Sequence, residues 1–381
     1  MKKCLACALI FALILFPEQT FAGENVSAQA AIVVEQSTGR VLFASNADAV
    51  LPMASTTKIM TALCVLENAA LDDVVTIDAR MVGIEGSSIY LEAGETLTVE
   101  QLLYGLMLRS GNDAAVALAL HVAGSVEDFV ALMNRKAAEL GLSHTHFANP
   151  HGLPAKEHYT TARELAAITC AAYDNADFRR IVATQYISVP WDGHPYDRAM
   201  KNKNKMLTLC EGGNGVKTGY TRAAGRCLVS GAMRQGMQLV CVVLNAPDMW
   251  NDSLRLLDAG FADFSMTTVL DSLEPVAELP CAFADRTAPV LPMWDAVVPL
   301  RAGEDVEIAL ELPEKLTSGV ARGEVLGYAI IGIKKMEPVR VPLIAGETVV
   351  MPQRAGYAQA LRRVLRRWFP AQTEQEEAET A

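Results

Sequence analysis

The sequence has no excess of basic residues, no apolar run long enough to span a bilayer comfortably, and no paired-cysteine motif in its body. Lysine and arginine total 33 against 44 aspartates and glutamates, a net charge of -11 over 381 residues. That balance leaves no electrostatic footprint for nucleic acid, so nucleic acid is excluded as a partner. Six cysteines follow residue 22, at 64, 170, 210, 227, 241 and 281, and none forms a Cys-x-x-Cys pair. Cys64, Cys227 and Cys241 fall inside apolar helix or strand patterns and read as small buried groups with free thiols. His144, His146 and His151 lie close together, but no His-Glu-x-x-His is present, so neither a metal nor another cofactor is expected.

What is there begins with a targeting signal. Lys2 and Lys3 precede an apolar run over 4–16, Pro17 breaks it, and Thr20 and Ala22 offer small residues before a cut after Ala22. The mature chain is therefore expected to be exported. Its length leaves room for two domains and a sizeable core.

Along the mature chain, apolar β-branched runs at 31–36 and 40–45 flank Ser37, Thr38 and Gly39 and predict a hairpin. A helix follows over 53–66, apolar on nearly every face from Ile59 to Leu66, and such a helix belongs inside a domain. Residues 89–91 look strand-like, Thr98 with Gln101 forms a capping box for a helix over 99–108, and further helices are expected at 113–122, 126–140 and 161–173. Past Arg180 the pattern turns to short strands, with runs at 216–220, 227–232 and 237–244, before a last helix at 253–264. Helices inserted between early and late strands predict an α/β domain in which both chain ends feed one sheet. From 267 to 351 the helical pattern disappears, and short alternating runs punctuated by proline and glycine predict a small β-sandwich.

The tail has a different character. At helical spacing Tyr357, Leu361, Val364, Leu365, Trp368 and Phe369 share one face, and Arg362, Arg363, Arg366 and Arg367 take the other. This pattern predicts a helix lying on an anionic membrane surface, followed by an acidic, disordered end.

The chemistry concentrates in three short motifs, each present once and in this order. Ser55 and Lys58 stand three apart on one helix face, so a hydroxyl meets an amine. Burial among Ile59, Met60, Leu63 and Val65 disfavours the charged amine, and a neutral Lys58 could take the Ser55 proton during attack on a carbonyl. Taken alone, the pattern equally fits a helix N-cap followed by a solvated lysine. Ser110, Gly111 and Asn112 form the second motif and Lys217, Thr218 and Gly219 the third. The three together are the signature shared by penicillin-binding proteins and class A β-lactamases.

With residues 53–61, 86–88, 110–115, 149–153 and 215–221, the chain resembles the low-molecular-weight penicillin-binding proteins, the serine-type D-alanyl-D-alanine carboxypeptidases. The resemblance implies a β-lactamase/transpeptidase-like catalytic domain, with a mainly antiparallel sheet flanked by helices, and a small all-β second domain. The layout it implies is a signal peptide at 1–22, the catalytic domain at 23–266, the β-rich domain at 267–352, an amphipathic membrane-surface helix at 353–370 and an acidic tail at 371–381. It implies Ser55 as the acylated nucleophile and Lys58 as its proton acceptor. Ser110 would relay a proton to the leaving amine, and the Asn112 amide would hold Lys58 and a substrate carbonyl. Lys217 and Thr218 would take the terminal carboxylate, Gly219 would let substrate approach, and the N–H groups of Ser55 and Tyr220 would form an oxyanion hole. Peptidoglycan stem peptides are then the substrate, β-lactams covalent inhibitors, and the outer face of the cytoplasmic membrane or the periplasm the location.

Two positions depart from that family. Met249 stands where many relatives carry an arginine, which shifts carboxylate recognition towards Lys217 with help from Lys203, and the acidic extension past Phe369 is unusual. A class A β-lactamase would need a carboxylate-activated water, and no Glu-x-x-x-Asn lies between Asn112 and Lys217. A penicillin sensor or wall-binding module would need a membrane-spanning transmitter, for which the sequence offers no segment.

Overall fold

The computed structural model describes residues 25–351 apart from 283 and 335, together with 361, 364, 365 and 368. The chain divides into two compact units, Met1–Ser265 and Met266–Ala381.

In the first unit, β1 (Ala30–Glu35) turns back into β2 (Val41–Ser45), and a single 3-10 turn (Ala54–Thr57) opens α1 (Lys58–Asn68). The short strands β3 (Val74–Thr76) and β4 (Thr96–Thr98) pair across a long loop. Helices α2 (Val99–Tyr104), α3 (Asn112–Ala123), α4 (Val126–Glu139), α5 (Ala162–Tyr173) and α6 (Ala176–Ala183) follow. A hairpin of β5 (Tyr186–Val189) and β6 (Arg198–Lys201), then α7 (Met206–Leu209), lead to the long strands β7 (Gly213–Thr221), β8 (Gly225–Arg234) and β9 (Met237–Leu244) and to α8 (Met249–Asp263).

Every residue of β1 and β9 is buried, as strands covered on both faces must be, and the two pair antiparallel from Ala30 with Leu244 to Glu35 with Leu239. The sheet order is β2-β1-β9-β8-β7, so both ends of the unit do feed one antiparallel sheet. β7 is left at its edge. Helices α1 and α5 pack on one side, where α1 is buried from Lys58 to Val65. An all-round apolar helix can bury every face only in such a position.

Local signals formed where expected, with four differences. The capping box closes: Thr98 Oγ1 accepts from the Gln101 N–H and Gln101 Oε1 accepts from the Thr98 N–H. The helix begun there stops being α-helical at Tyr104 and continues as a π-helical turn, Gly105–Arg109, ending on Ser110 in the left-handed conformation at φ 64°. Residues 89–91 are not a strand; their loop is held by the buried Asp113 carboxylate, which accepts from the Ile89 and Leu91 N–H groups and the Ser88 hydroxyl. Helix α6 stands where no helix is expected, opened by the Asn175 side chain accepting from the N–H groups of Asp177 and Phe178. The last helix starts at Met249, four residues before the sequence pattern becomes periodic.

β10 (Phe264–Leu270) leads into the second unit, which contains β11 (Ala277–Pro280), β12 (Thr287–Pro292), β13 (Ala296–Arg301), β14 (Val306–Glu311), β15 (Val325–Ile333) and β16 (Val339–Ala345). Its sheet runs β11-β12-β16-β15-β14, and β10 pairs with β13. Alternating inward residues Ala329, Ile331, Val341 and Leu343 form its core.

All six cysteines of the described residues are free thiols. Among the described residues no single helix is long and apolar enough to cross a membrane. The expected signal peptide and acidic end lie outside the described residues, as does the tail helix apart from Leu361, Val364, Leu365 and Trp368.

Candidate active site

Helix α1 begins at the wall of a cleft of about 620 Å³. Ser55 lies in the 3-10 turn that precedes α1, and Lys58 is the first residue of the helix, so the Lys58 amine lies 3.2 Å from Ser55 Oγ. Two back-bonds set the turn: Thr56 Oγ1 donates to the Met53 carbonyl at 2.6 Å and Thr57 Oγ1 to the Ala54 carbonyl at 2.7 Å. Thr57 in turn accepts from His158 Nε2 at 2.8 Å, because His158 Nδ1 accepts from the Ala148 N–H and leaves the ring proton on Nε2.

The Lys58 amine has two further partners, Asn112 Oδ1 at 2.7 Å and the His151 carbonyl at 2.5 Å. Both oxygens can only accept. With the amine neutral, its two N–H groups serve them, and the lone pair is left for the Ser55 hydroxyl to donate into. Burial pulls Lys58 well below the ordinary lysine value, and the positive charges of Lys217 and Lys203 pull the same way against Asp113.

The loop 149–153 is the member of the site that motif spacing did not reveal as machinery. Thr61 Oγ1 donates to the Pro150 carbonyl at 2.6 Å, and His151 presents its own carbonyl to Lys58. Gly152 follows with φ +92°, and a Cβ there would sit 2.0 Å from the Ala54 carbonyl oxygen. Only glycine lets the loop press against the Ser55 turn. The quoted run from Asn149 to Leu153 was the available signal, but a backbone carbonyl leaves no residue-type signature.

Ser110 lines the cleft together with Ser55, Ser87 and Lys203. Lys203 Nζ lies 3.4 Å from Ser87 Oγ, and burial, then the nearby Arg109 charge, lowers its pKa. Thr218, Gly219 and Tyr220 of β7 form the facing edge. A Cβ on Gly219 would come within 3.1 Å of the Ser55 nitrogen, so the strand passes directly over the nucleophile's turn.

Two further residues expected at the site are buried. Asn112 is buried, is not among the residues lining the cleft, and spends an N–H on the Glu85 carbonyl at 2.6 Å. It holds Lys58, the first of the two roles expected of it. Lys217 is also fully buried away from the lining; its amine donates to the Thr218 carbonyl at 2.8 Å, and burial, then the Lys203 charge, brings it to about 7.

A hydroxyl aimed at a desolvated amine, beside the open edge of a sheet, is the constellation of a serine acyl-transfer enzyme. The sequence of the peptidase S11 family, D-alanyl-D-alanine carboxypeptidase, matches residues 17–248, and the chain belongs to that family. It is 30% identical over 391 residues to the D-alanyl-D-alanine carboxypeptidase DacF of Bacillus subtilis (strain 168), covering 97% of this chain and 99% of that one. It is 33% identical over 352 residues to DacC of Escherichia coli (strain K12), covering 87% and 86%. The crystal structure of penicillin binding protein 5 from Haemophilus influenzae superposes with a TM-score of 0.72 at 27% identity, covering 86% of this chain and 98% of that one.

Proposed function

We propose that this enzyme removes the terminal D-alanine from peptidoglycan stem peptides through an acyl-enzyme on Ser55. The observation that carries the reading is the three-way hydrogen bonding of Lys58, whose two acceptor-only partners reserve the lone pair for Ser55. As Oγ bonds to the penultimate D-alanine carbonyl carbon, its proton passes to Lys58. The carbonyl oxygen takes the electron pair and is held by the N–H groups of Ser55 and Tyr220, each such donor contributing ~2.7–4 kcal/mol in other hydrolases. Collapse breaks the C–N bond, and the leaving amine takes its proton from Lys58 by way of Ser110. Water then attacks the ester with Lys58 again as base. Asn112 positions the amine, and Lys217 acts through its field on Lys58. The open edge of β7 pairs with the extended substrate as an added strand.

Penicillin would acylate the same hydroxyl. A β-lactamase reading finds no support, since the named relatives are carboxypeptidases. Release of D-alanine from diacetyl-Lys-D-Ala-D-Ala, measured for wild type and Ser55→Ala, tests the reading; turnover surviving in the variant sinks it.

Location at the outer face of the cytoplasmic membrane or in the periplasm belongs to the same proposal. Leu361, Val364, Leu365 and Trp368 are helical and exposed, four apolar side chains facing solvent, which supports a membrane-surface helix. Deleting residues from 356 onward should free the exported protein from membranes.

A further inference from the structure

The cleft continues past Thr218 and Gly219 to three residues without a role so far: Arg226, Met249 and Trp250. A carboxypeptidase must recognise a free carboxylate one residue beyond the scissile carbonyl. Lys217, next to Thr218 on β7, is buried and gives one N–H to the Thr218 carbonyl at 2.8 Å. Lys203 lines the cleft with its amine 3.4 Å from Ser87 Oγ.

Arg226, the second residue of β8, lies directly opposite Tyr220 of β7, and directly opposed residues present their side chains on the same face. Its Nη1 donates to the Pro247 carbonyl at 2.7 Å, which ties the guanidinium to the chain entering α8. Among the described residues it has no carboxylate partner. One N–H is therefore engaged, and a planar fork of further donors remains, the geometry that grips a carboxylate with two parallel bonds. Met249 and Trp250 give this end of the cleft an apolar wall, and Lys205 over the Trp250 ring, 5.9 Å from its centroid, helps hold it.

We propose that Arg226, together with the Thr218 hydroxyl, reads the substrate's terminal carboxylate and so sets the preference for a free C-terminus. This rests on the Ser55 reading, and the test separates the two.

The test uses the full chain as wild type, Arg226→Ala, Arg226→Lys and the double variant Arg226→Ala with Met249→Arg. Substrates are diacetyl-Lys-D-Ala-D-Ala and its C-terminal amide, with acylation and release followed by mass spectrometry. Loss of a charge-assisted hydrogen bond predicts a fall of ~10–100-fold in kcat/KM for the carboxylate in Arg226→Ala, carried mainly by KM. Turnover of the amide should stay within about twofold of wild type, which also shows that the variant folds and that Ser55 works. Arg226→Lys should fall in between, and Met249→Arg, returning a cation to the same end, should restore part of the carboxylate preference. Equal losses on both substrates, or an unchanged carboxylate rate, would overturn the assignment. Failure of wild type on both would overturn the Ser55 reading instead.

Discussion

Asn112 Oδ1 accepts a 2.7 Å hydrogen bond from the Lys58 amine across 54 residues of sequence, and the same amide donates to the Glu85 carbonyl at 2.6 Å. A neutral amide fixes the amine without adding charge. Replacing it with a carboxylate would keep the shape and change the electrostatics. An opposite charge this close raises a lysine pKa by ~1–3. Asn112→Asp should therefore move the acidic limb of the kcat/KM profile to higher pH and cut turnover at neutrality by about tenfold or more. A limb that stays in place would show that Lys58 is not the titrating base.

Gly152 and Ala54 make the tightest backbone approach at the site, with 2.0 Å from an added Cβ to the Ala54 carbonyl oxygen. Gly152→Ala also meets a φ of +92°, and strain of this kind costs ~1–3 kcal/mol before the clash is relieved. The loop must withdraw, taking the His151 carbonyl from Lys58. Both the melting temperature and the rate of labelling by fluorescent penicillin should fall; normal labelling would show that the carbonyl is dispensable.

His151 and His158 are both held neutral by burial, each to about 4 against an ordinary 6.5. The unfolded chain takes up these protons first as pH falls. Stability from these groups is therefore full above pH 6.5 and is lost between 6.5 and about 4, on the order of 3 kcal/mol for each if wholly expressed. Denaturant titrations of wild type and His158→Gln over this range should show a flatter pH dependence in the variant. Parallel curves would rule His158 out.

Arg198 and Glu95 form an ion pair at 2.9 Å with both side chains almost completely buried, and the Arg198 guanidinium stacks over Trp191 at 4.4 Å. The pair joins the β5–β6 hairpin to the loop before β4. Removing one partner leaves an uncompensated buried charge, so Glu95→Ala should cost ~3–5 kcal/mol. The double replacement Glu95→Leu with Arg198→Met should cost less. A single-variant loss below about 1 kcal/mol in urea unfolding would contradict this account.

By itself the sequence determined the local grammar of the molecule. The hairpin of β1 and β2, the capping box at Thr98 and Gln101, the all-apolar α1, the strands past Arg180 and the loss of helical pattern from 267 to 351 all rest on contacts within a few residues or on periodicity. The Ser55–Lys58 pair belongs to that class, because three residues is one turn of helix. What joins β1 to β9, brings Asn112 and the His151 carbonyl to Lys58, buries Lys217 and leaves Arg226 at the far end of the cleft depends on packing between distant segments. The π-helical turn that ends on a left-handed Ser110 is decided there too. Side-chain identity can announce an amine beside an alcohol, but whether that amine is dry, and which oxygens occupy its N–H groups, only the folded chain decides.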